Sequence, residues 1–381
     1  VKSMKKNNIP TILQVIPELG AGGAEQSCID VAHAIIDAGW QSILVSNGGN
    51  RVHEVTRRGT HHISLPVHSK NPLTLWRNVA RLRKIIRDHR VDIIHARSRA
   101  PAWSCYFAAK AEGIPFVTTC HAAYKYDNAW KKRYNAIMAK GERVISISNF
   151  ISGYLKENYG LHESRIRLAF RGIDLNKFHP NLVTPERMIG LAQEWRIPDG
   201  ASVILMPARI SRIKGHHFLI DAMAKLKRED VICVFVGSDQ GRKAYVEELY
   251  QTIEEKGLTG RVRIVNHCKD MPTAYMLSTV TVCASMVPEG FGRVPVEAQA
   301  MGRATIATSH GATGETIKPG ETGWLVEAGN VDELVLALEQ ALSLTNAERA
   351  YLATASMSHV ANNFTVEHMC HVVLSTYQEL L

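Results

Sequence analysis

Two glutamates in the C-terminal half of the sequence, Glu289 and Glu297, are separated by a stretch that contains Gly290 and Gly292. A carboxylate accepts hydrogen bonds from hydroxyl groups, and glycines let backbone N–H groups approach a ligand closely. We expect Glu289 in a loop and Glu297 on the first turn of the next helix. The pair suits the hydroxyls of two rings, a sugar and a ribose, although a solvated glutamate and a helix-start glutamate would show the same spacing.

Arg209 and Lys214 lie five residues apart in a loop after a predicted strand, so both side chains can converge on one anion. A diphosphate is the natural ligand. An arginine fork and a lysine point charge would stabilise the negative charge that grows as a sugar–phosphate bond breaks. In isolation these two residues would be read as solvated surface charges. Their occurrence in the same half of the chain as Glu289 and Glu297 is what favours a binding site.

A glycine-rich loop in the N-terminal half, ending in Gly22 and Gly23, precedes a predicted helix. A dinucleotide fingerprint would need glycine where Glu25 stands, and no ribose-binding acid follows the second strand. These departures argue against an NAD site. The loop can still present free N–H groups to a phosphate at the helix N-terminus, although a plain tight turn would have the same sequence.

Short β-branched runs, each followed by a helical pattern, occur in two successive sets that meet near residue 180. The alternation predicts two Rossmann-like, doubly wound parallel-sheet domains of an α/β fold, facing a central cleft. We place the first domain at 1–180 and the second at 181–364. The predicted strands are Thr11–Ile16, Ser42–Ser46, Asp92–Ala96, Pro115–Cys120, Val144–Ser148, Val203–Pro207, Val231–Gly237, Arg263–Asn266, Thr281–Ser285 and Thr305–Thr308.

Composition restricts the classes of function. The net charge of +9 points to an anionic partner, but zinc-finger spacing and RNP-like aromatic strands are missing, so nucleic acid is not expected. No apolar run is long enough to span a bilayer, and the seven cysteines include no C-x-x-C pair, which together favour a cytoplasmic protein. Neither H-E-x-x-H nor D-x-D occurs, so we expect no metal and no cofactor.

The combination of Arg209, Lys214, the E-x7-E pair and Gly290-Phe291-Gly292 resembles retaining glycosyltransferases of family 4, which have the GT-B fold. Two further segments are similar to motifs of that family. They are Arg171-Gly172-Ile173-Asp174, which resembles its N-G-V-D turn with Arg in place of Asn, and Gly320–Val326, which resembles its late G-x-x-G segment.

The resemblance implies a role for each matching residue. Glu297 would bind the donor ribose. The transferred sugar would be bound by Glu289 and by the backbone of Gly290, Phe291 and Gly292. The diphosphate would be bound by Arg209 and Lys214. His121, at the end of a predicted strand, matches the active-site histidine of the family. Position, rather than resemblance, assigns three residues to the acceptor side: His95 and Arg97 are expected on the same rim as His121, and Tyr124 follows His121 in the chain. The helix at 365–381, which could pack on either half, would return to the first domain.

By the same analogy the protein would be a hexosyltransferase that uses a UDP or GDP sugar, and the missing D-x-D predicts that it needs no metal ion. The acceptor hydroxyl would attack the sugar on the face that the nucleotide leaves. The competing hypothesis is that Glu289 acts as a covalent nucleophile. A sugar-nucleotide 2-epimerase and a non-catalytic sugar-nucleotide-binding protein are the alternatives. Donor release measured with and without acceptor separates the three.

Two clusters of basic and aromatic residues in the first half favour a peripheral position on an anionic membrane, although the first cluster fits a solvated helix face equally well. We therefore expect a glycan or glycolipid acceptor. The sequence as a whole, including Gly241-Arg242 after Asp239 and the segment Cys268-Lys269-Asp270-Met271-Pro272, looks most like bacterial lipopolysaccharide-core sugar transferases. The clusters are Arg77, Arg81, Arg83, Lys84 and Arg87 beside Trp76, and Lys125, Lys131, Lys132, Arg133, Lys140 and Arg143 beside Tyr124, Tyr126, Trp130 and Tyr134.

Overall fold

The computed structural model describes residues 9–20 and 22–381, which form two compact α/β units. Unit 1 contains the described residues up to Gly172 together with Val366–Leu381, and unit 2 contains Ile173–Thr365. The chain therefore leaves unit 1 and later returns to it. The two ends of unit 2 lie side by side, because Ile173 forms a parallel bridge with Thr365.

Unit 1 is built on a seven-stranded sheet in the order β3-β2-β1-β4-β5-β6-β7, with all pairings parallel. Its strands are β1 Thr11–Val15, β2 Gln41–Ser46, β3 His61–Ser64, β4 Ile93–Ala96, β5 Phe116–Cys120, β6 Arg143–Ser146 and β7 Ile166–Leu168. The connecting helices are α1 Gly23–Asp37, α2 Val52–Thr56, α3 Pro72–Asp88, α4 Arg99–Glu112, α5 Ala129–Asn135 and α6 Asn149–Tyr159, with 3-10 turns at Ala136–Ala139 and Glu163–Arg165.

Unit 2 has a six-stranded parallel sheet in the order β10-β9-β8-β11-β12-β13. Its strands are β8 Ser202–Pro207, β9 Val231–Val236, β10 Val262–Val265, β11 Val280–Cys283, β12 Ala304–Thr308 and β13 Trp324–Val326. Its helices are α7 Pro185–Glu194, α8 His216–Lys225, α9 Lys243–Glu255, α10 Met271–Leu277, α11 Arg293–Ala300, α12 Thr313–Thr316, α13 Val331–Leu342 and α14 Asn346–Asn363, with 3-10 turns at Pro180–Leu182 and Arg212–Lys214.

The last helix, α15 (Val366–Gln378), belongs to unit 1. Its buried side chains Met369, Val373 and Tyr377 pack with apolar residues of β1, α1 and β4 in one core cluster. Glu379, just beyond the helix, accepts hydrogen bonds from arginines of β6 and β7. The helix is thus an integral layer of unit 1, although unit 2 separates it from the other elements along the chain.

Two parallel-sheet α/β units confirm the fold class that the sequence predicts. Every predicted strand is present, with ends displaced by at most two residues. The prediction missed β3, β7 and β13, and each of these is an edge strand of its sheet. They are short and mostly half-exposed, so they lack the buried apolar run that marks a central strand.

The strand order reverses between β1 and β4 in unit 1 and between β8 and β11 in unit 2. At such a reversal the connecting loops leave toward opposite faces of the sheet, and ligands of doubly wound folds bind beside the carboxyl ends of the two strands. Each unit therefore has one favoured position for a site. Among the helices of the described residues, none combines the length and apolar character needed to cross a bilayer.

Candidate functional site

In unit 2 the loops that follow β8 and β11 meet at the reversal of strand order. Ile213 accepts a backbone hydrogen bond from Met286 at 2.8 Å, which joins the two loops directly. Gly215, with φ +79, lies so close to the other loop that a Cβ atom there would stand 1.9 Å from the Ala284 carbonyl oxygen. Only glycine permits this backbone approach, so the two loops form one rigid surface at the strand ends.

Lys214 and Glu289 are joined across this surface. The ammonium of Lys214 lies 2.5 Å from Glu289 Oε1 and 3.5 Å from Ser285 Oγ, and the Ser285 hydroxyl donates to the same carboxylate oxygen. Both charged side chains keep about a fifth of their surface exposed, at 21% and 19%. The result is a charged, hydrogen-bonded cluster that remains open to a ligand.

The backbone of Glu289 is fixed by the loop after β12. Glu289 forms a parallel bridge with Gly311, and its carbonyl accepts the N–H of Ala312 at 2.9 Å. Gly311 has φ +73, and a Cβ atom there would lie 2.4 Å from the Glu289 carbonyl oxygen. Three loops therefore hold Glu289, although it lies outside any helix or strand.

Glu297 is held by a different set of contacts. The Tyr275 hydroxyl donates to its Oε2 at 2.8 Å, and Arg293 lies 3.0 Å from its Oε1. Burial, reinforced by the neighbouring carboxylate, raises the pKa of Tyr275 well above its usual range, so the phenol stays a donor. Both oxygens are thus oriented, and each retains capacity to accept a ligand hydroxyl.

The position of Glu297 on its helix corrects the sequence prediction. Helix α11 begins at Arg293, which makes Glu297 its fifth residue and places it on the second turn rather than the first. The helix starts earlier than expected because Gly292, with φ +81, ends the preceding loop, and Pro295 is accommodated within the first turn.

The intervening residues Gly290, Phe291 and Gly292 have unequal environments. The Phe291 side chain is buried and packs edge-on against Phe364 with ring centroids 5.6 Å apart, so it supports the loop from the protein side. Gly292 caps α11 without a side-chain hydrogen bond to the first N–H groups. Backbone N–H groups, rather than the Phe291 ring, are the donors that this segment can offer to a ligand.

Arg209 does not share the anchoring of Lys214. Its side chain is exposed, whereas Lys214 turns toward Glu289. Among the described residues, no side chain is bonded to both cations, and Lys214 lies at the end of the 3-10 turn Arg212–Lys214, whereas Arg209 precedes this turn. A phosphate at the strand ends would have to draw both side chains together.

In unit 1 the glycine-rich loop leads into α1, which starts at Gly23 with Gly22 as its N-cap. Gly22 itself has no side chain that could accept a hydrogen bond from the first N–H groups of the helix. The Glu25 carboxylate instead folds back over the loop, where its Oε2 would lie 2.2 Å from a Cβ atom at Gly22. An anion is therefore already near the positive end of the helix, and a phosphate would compete with it.

His121 stands just after β5 and is contacted by Arg171. The Arg171 guanidinium donates to His121 Nδ1 at 2.9 Å and also to the carbonyl of Gly23. Within the described part of the chain His121 Nε2 is buried without a hydrogen-bond partner. Burial, and then the charge of Arg171, hold the pKa of His121 well below its usual range, so the ring is neutral at pH 7.

Three residues assigned to the acceptor side lie deeper than the sequence predicts. His95 is fully buried, with its ring nitrogens 2.6 Å from Tyr377 Oη and 2.7 Å from Thr119 Oγ1, and Arg97 is 1% exposed and donates to Ser27. Neither lies on an open rim, because β4 is a central strand and α15 covers its end. Tyr124 is half-buried, and Arg99 stacks over its ring at 4.0 Å.

The structure also adds residues that the sequence analysis did not select. Ser285, Tyr275 and Arg293 orient the two glutamates, and Arg171 orients His121. Only Arg171 had a sequence signal, as the departure from the asparagine of the N-G-V-D turn. Across residues 9–20 and 22–381, His, Cys, Asp and Glu side chains form no group of three that could hold a metal ion.

Comparisons with known proteins match both halves of the chain. A family model described as Glycosyltransferase Family 4 matches residues 21–177, and one described as Glycosyl transferases group 1 matches residues 191–356. The crystal structure of a glycosyltransferase from Rickettsia africae ESF-5 has a TM-score of 0.91 at 36% sequence identity, over 98% of this chain and 99% of that one.

Two further proteins extend the comparison. HepE from Anabaena, solved in complex with UDP and glucose, has a TM-score of 0.85 at 23% identity, over 97% of this chain and 100% of HepE. Spore coat protein SA of Bacillus subtilis (strain 168) is 25% identical over 306 residues, which are 77% of this chain and 80% of that protein.

Proposed function

This chain belongs to the glycosyltransferases of group 1 and family 4, with the GT-B fold, and we propose that its donor is a UDP-hexose or GDP-hexose. The proposed acceptor is a lipid-linked or lipopolysaccharide-type glycan, and the proposed transfer retains configuration and needs no metal ion. The observation that carries the proposal is the Lys214–Ser285–Glu289 cluster at the carboxyl ends of β8 and β11.

The cluster supports donor binding because it pairs one cation with one oriented carboxylate, and Glu297 of α11 supplies a second oriented carboxylate. Lys214 has three N–H donors, so it can hold Glu289 and a phosphate oxygen together, while exposed Arg209 is free to swing to the same phosphate. Glu297, oriented by Tyr275, can accept the hydroxyls of a ribose. UDP is the first choice of nucleotide, because HepE was solved with UDP and glucose.

In the proposed reaction the acceptor oxygen bonds to the anomeric carbon on the face from which the phosphate oxygen departs. The leaving phosphate oxygen takes the hydroxyl proton, and Lys214 and Arg209 stabilise its growing charge. We assign Glu289 an anchoring role rather than a covalent one, because its Oε1 already accepts from both Ser285 and Lys214. Hydrogen bonding of this kind lowers the nucleophilicity of a carboxylate.

A thermal-shift panel of UDP-, GDP- and ADP-hexoses tests the donor proposal. A ligand at about 100 times its Kd stabilises the fold by about 2.7 kcal/mol, so we expect a clear rise in melting temperature with a UDP- or GDP-hexose, undiminished in EDTA. The matching donor should then release nucleotide faster when acceptor extract is added. An unchanged melting temperature with every donor would contradict the proposal. Donor turnover at the same rate with and without acceptor would favour an epimerase.

The acceptor proposal rests on a surface of unit 1 formed by α3, α4 and α5. Trp76 of α3 and Trp130 of α5 are 77% and 79% exposed. Both helices contact α4. The Ser104 hydroxyl of α4 donates to the Leu75 carbonyl of α3, and the Trp103 indole N–H of α4 donates to the Tyr134 carbonyl of α5. Exposed tryptophans beside basic residues are typical of a protein that binds an anionic membrane interface.

Part of the basic charge on this surface is neutralised within the protein. Arg83 and Arg87 both pair with Glu112, and Lys84 pairs with Asp88. Within the described part of the chain, the cations that remain exposed and outside ion pairs include Arg77, Lys125 and Arg133. These residues, rather than the whole clusters, are the candidates for contact with lipid phosphate.

Replacing Arg77 and Arg133 together with glutamine should weaken binding to vesicles that contain anionic lipid. Each basic residue near such a surface contributes about 1 kcal/mol, so the double variant should bind about 30-fold more weakly at low salt. Flotation at low and high salt measures this. The matched control replaces Lys225 and Lys256 of unit 2, which are already ion-paired, and should float like wild type. Wild-type protein that stays unbound at low salt would exclude the membrane proposal.

A further inference from the structure

Arg171 connects two parts of unit 1, the residue after β5 and the start of α1. It follows β7, and its guanidinium reaches both the imidazole of His121 and the carbonyl of Gly23, the first residue of α1. The residue is 7% exposed, so the two contacts are largely shielded from water. One side chain thus links the end of β5 to the start of α1.

The contact with His121 determines which ring nitrogen carries the proton. A guanidinium has only donors, so His121 Nδ1 must accept and therefore carries no hydrogen. In a neutral ring the hydrogen then lies on Nε2, which is the buried nitrogen without a partner in the described part of the chain. His121 therefore has an oriented Nε2–H donor that bonds to none of the described residues.

We propose that Arg171 is a positioning residue, which fixes His121 as the Nε2–H tautomer and ties it to the first turn of α1, so that Nε2–H is an oriented hydrogen-bond donor for a substrate that reaches unit 1. The inference rests on the proposed function for its ligand, whereas the tautomer itself is a property of the free protein. A neutral donor of fixed direction needs no proton rearrangement when substrate arrives. His121 is then a hydrogen-bond donor in the reaction rather than a general base.

The charged and titratable groups around His121 agree with this assignment. Arg171, Arg97 and His95 all disfavour a positive charge on the ring, in addition to burial. The phenol of Tyr124 is near the His121 backbone, and burial raises the pKa of that phenol above its usual range. No carboxylate is among the groups that shift the pKa of His121, so the neutral form is the stable one.

Nitrogen-15 NMR of histidine-labelled, substrate-free protein tests the assignment. The sequence has 17 histidines, so a His121→Gln variant identifies the His121 signals by their disappearance. In wild type we expect the Nε2–H tautomer and no titration between about pH 5.5 and 8. In Arg171→Gln we expect mixed tautomers and a pKa that moves up toward its ordinary range, because a positive neighbour is removed.

Kinetics give a second readout. Arg171→Gln should lower kcat by roughly 10- to 100-fold while leaving the KM for donor within about twofold, since a misplaced group costs rate more than binding. Arg171→Lys, which keeps the charge and can still donate a hydrogen bond, should recover part of the lost rate. It is measured in place of the glutamine variant if that variant does not fold. Arg167→Gln is the control, because Arg167 in β7 pairs with Glu379 on the surface and should leave the His121 spectrum unchanged.

An Nδ1–H tautomer in wild type would overturn the proposal, as would an Arg171→Gln protein with a wild-type tautomer and wild-type kcat. Failure of the proposed function looks different. In that case no nucleotide sugar is turned over, yet the tautomer in the free protein still depends on Arg171.

Discussion

Replacing Lys214 with alanine should reduce kcat/KM for the nucleotide sugar by a factor on the order of 100 to 1,000, the loss typical of removing one group that stabilises developing charge. The variant loses the cation assigned to the leaving diphosphate. The Glu289 carboxylate, whose side chain is 19% exposed, would keep its hydrogen bond from Ser285 but would lose its positively charged partner. Initial rates of nucleotide release in the presence of acceptor measure the effect.

Lys225→Ala is the matched control for this experiment. Lys225 lies in the same unit and pairs with Asp332, but both side chains are more than half exposed, and such a surface ion pair contributes little to stability. The control should therefore keep wild-type rates and stability. A Lys214→Ala enzyme with a wild-type kcat/KM would contradict the assignment of Lys214 to the donor site.

Substituting Gly215 with alanine should destabilise unit 2 by about 3 kcal/mol or more and abolish most activity. A left-handed backbone costs an alanine about 1–2 kcal/mol, and the new Cβ atom would also stand 1.9 Å from the Ala284 carbonyl oxygen. The loops after β8 and β11 would have to separate, which removes Lys214 from Glu289. Urea unfolding and donor turnover on the same preparations measure the two effects.

Gly241 provides a control that isolates the close approach from the backbone strain. Its φ of +81 is nearly that of Gly215, but a Cβ atom at Gly241 would have no neighbour within 4 Å. Gly241→Ala should therefore cost only the conformational penalty of about 1–2 kcal/mol and keep its activity. Equal destabilisation by the two substitutions would show that the contact with Ala284 does not hold the loops together.

The sequence predicted the central strands well because they are buried on both faces. β1, β4, β8 and β11 consist mainly of β-branched and aliphatic residues, as is typical of parallel strands between two helix layers, although β1 includes Gln14 and β4 includes His95. An edge strand such as His61–Ser64 is only partly covered, so its composition carries no comparable signal. Pairing with a neighbour, which depends on the rest of the sheet, is what makes it a strand.

At the candidate site, the sequence was a better guide to which loops take part than to how their side chains are oriented. Glu289 and Lys214 are 75 residues apart, and their contact depends on the pairing of β8 with β11 and on the glycine at 215. Local pattern also could not show that His95 and Arg97 are buried, because α15, which covers them, comes from the far end of the chain. Tyr275 had no signal, since its role depends on its hydroxyl in α10 reaching the Glu297 carboxylate in α11.

The position of α15 also determines the order in which the units can be completed during synthesis. Domains generally fold as units while the chain emerges from the ribosome, at about 5–20 residues per second. Unit 2 has all its residues once Thr365 has emerged, whereas unit 1 lacks Met369, Val373 and Tyr377 of its core until α15 follows. The unit whose strands are translated first is therefore completed after unit 2, and its β1–β4 face stays partly uncovered until α15 has been synthesised.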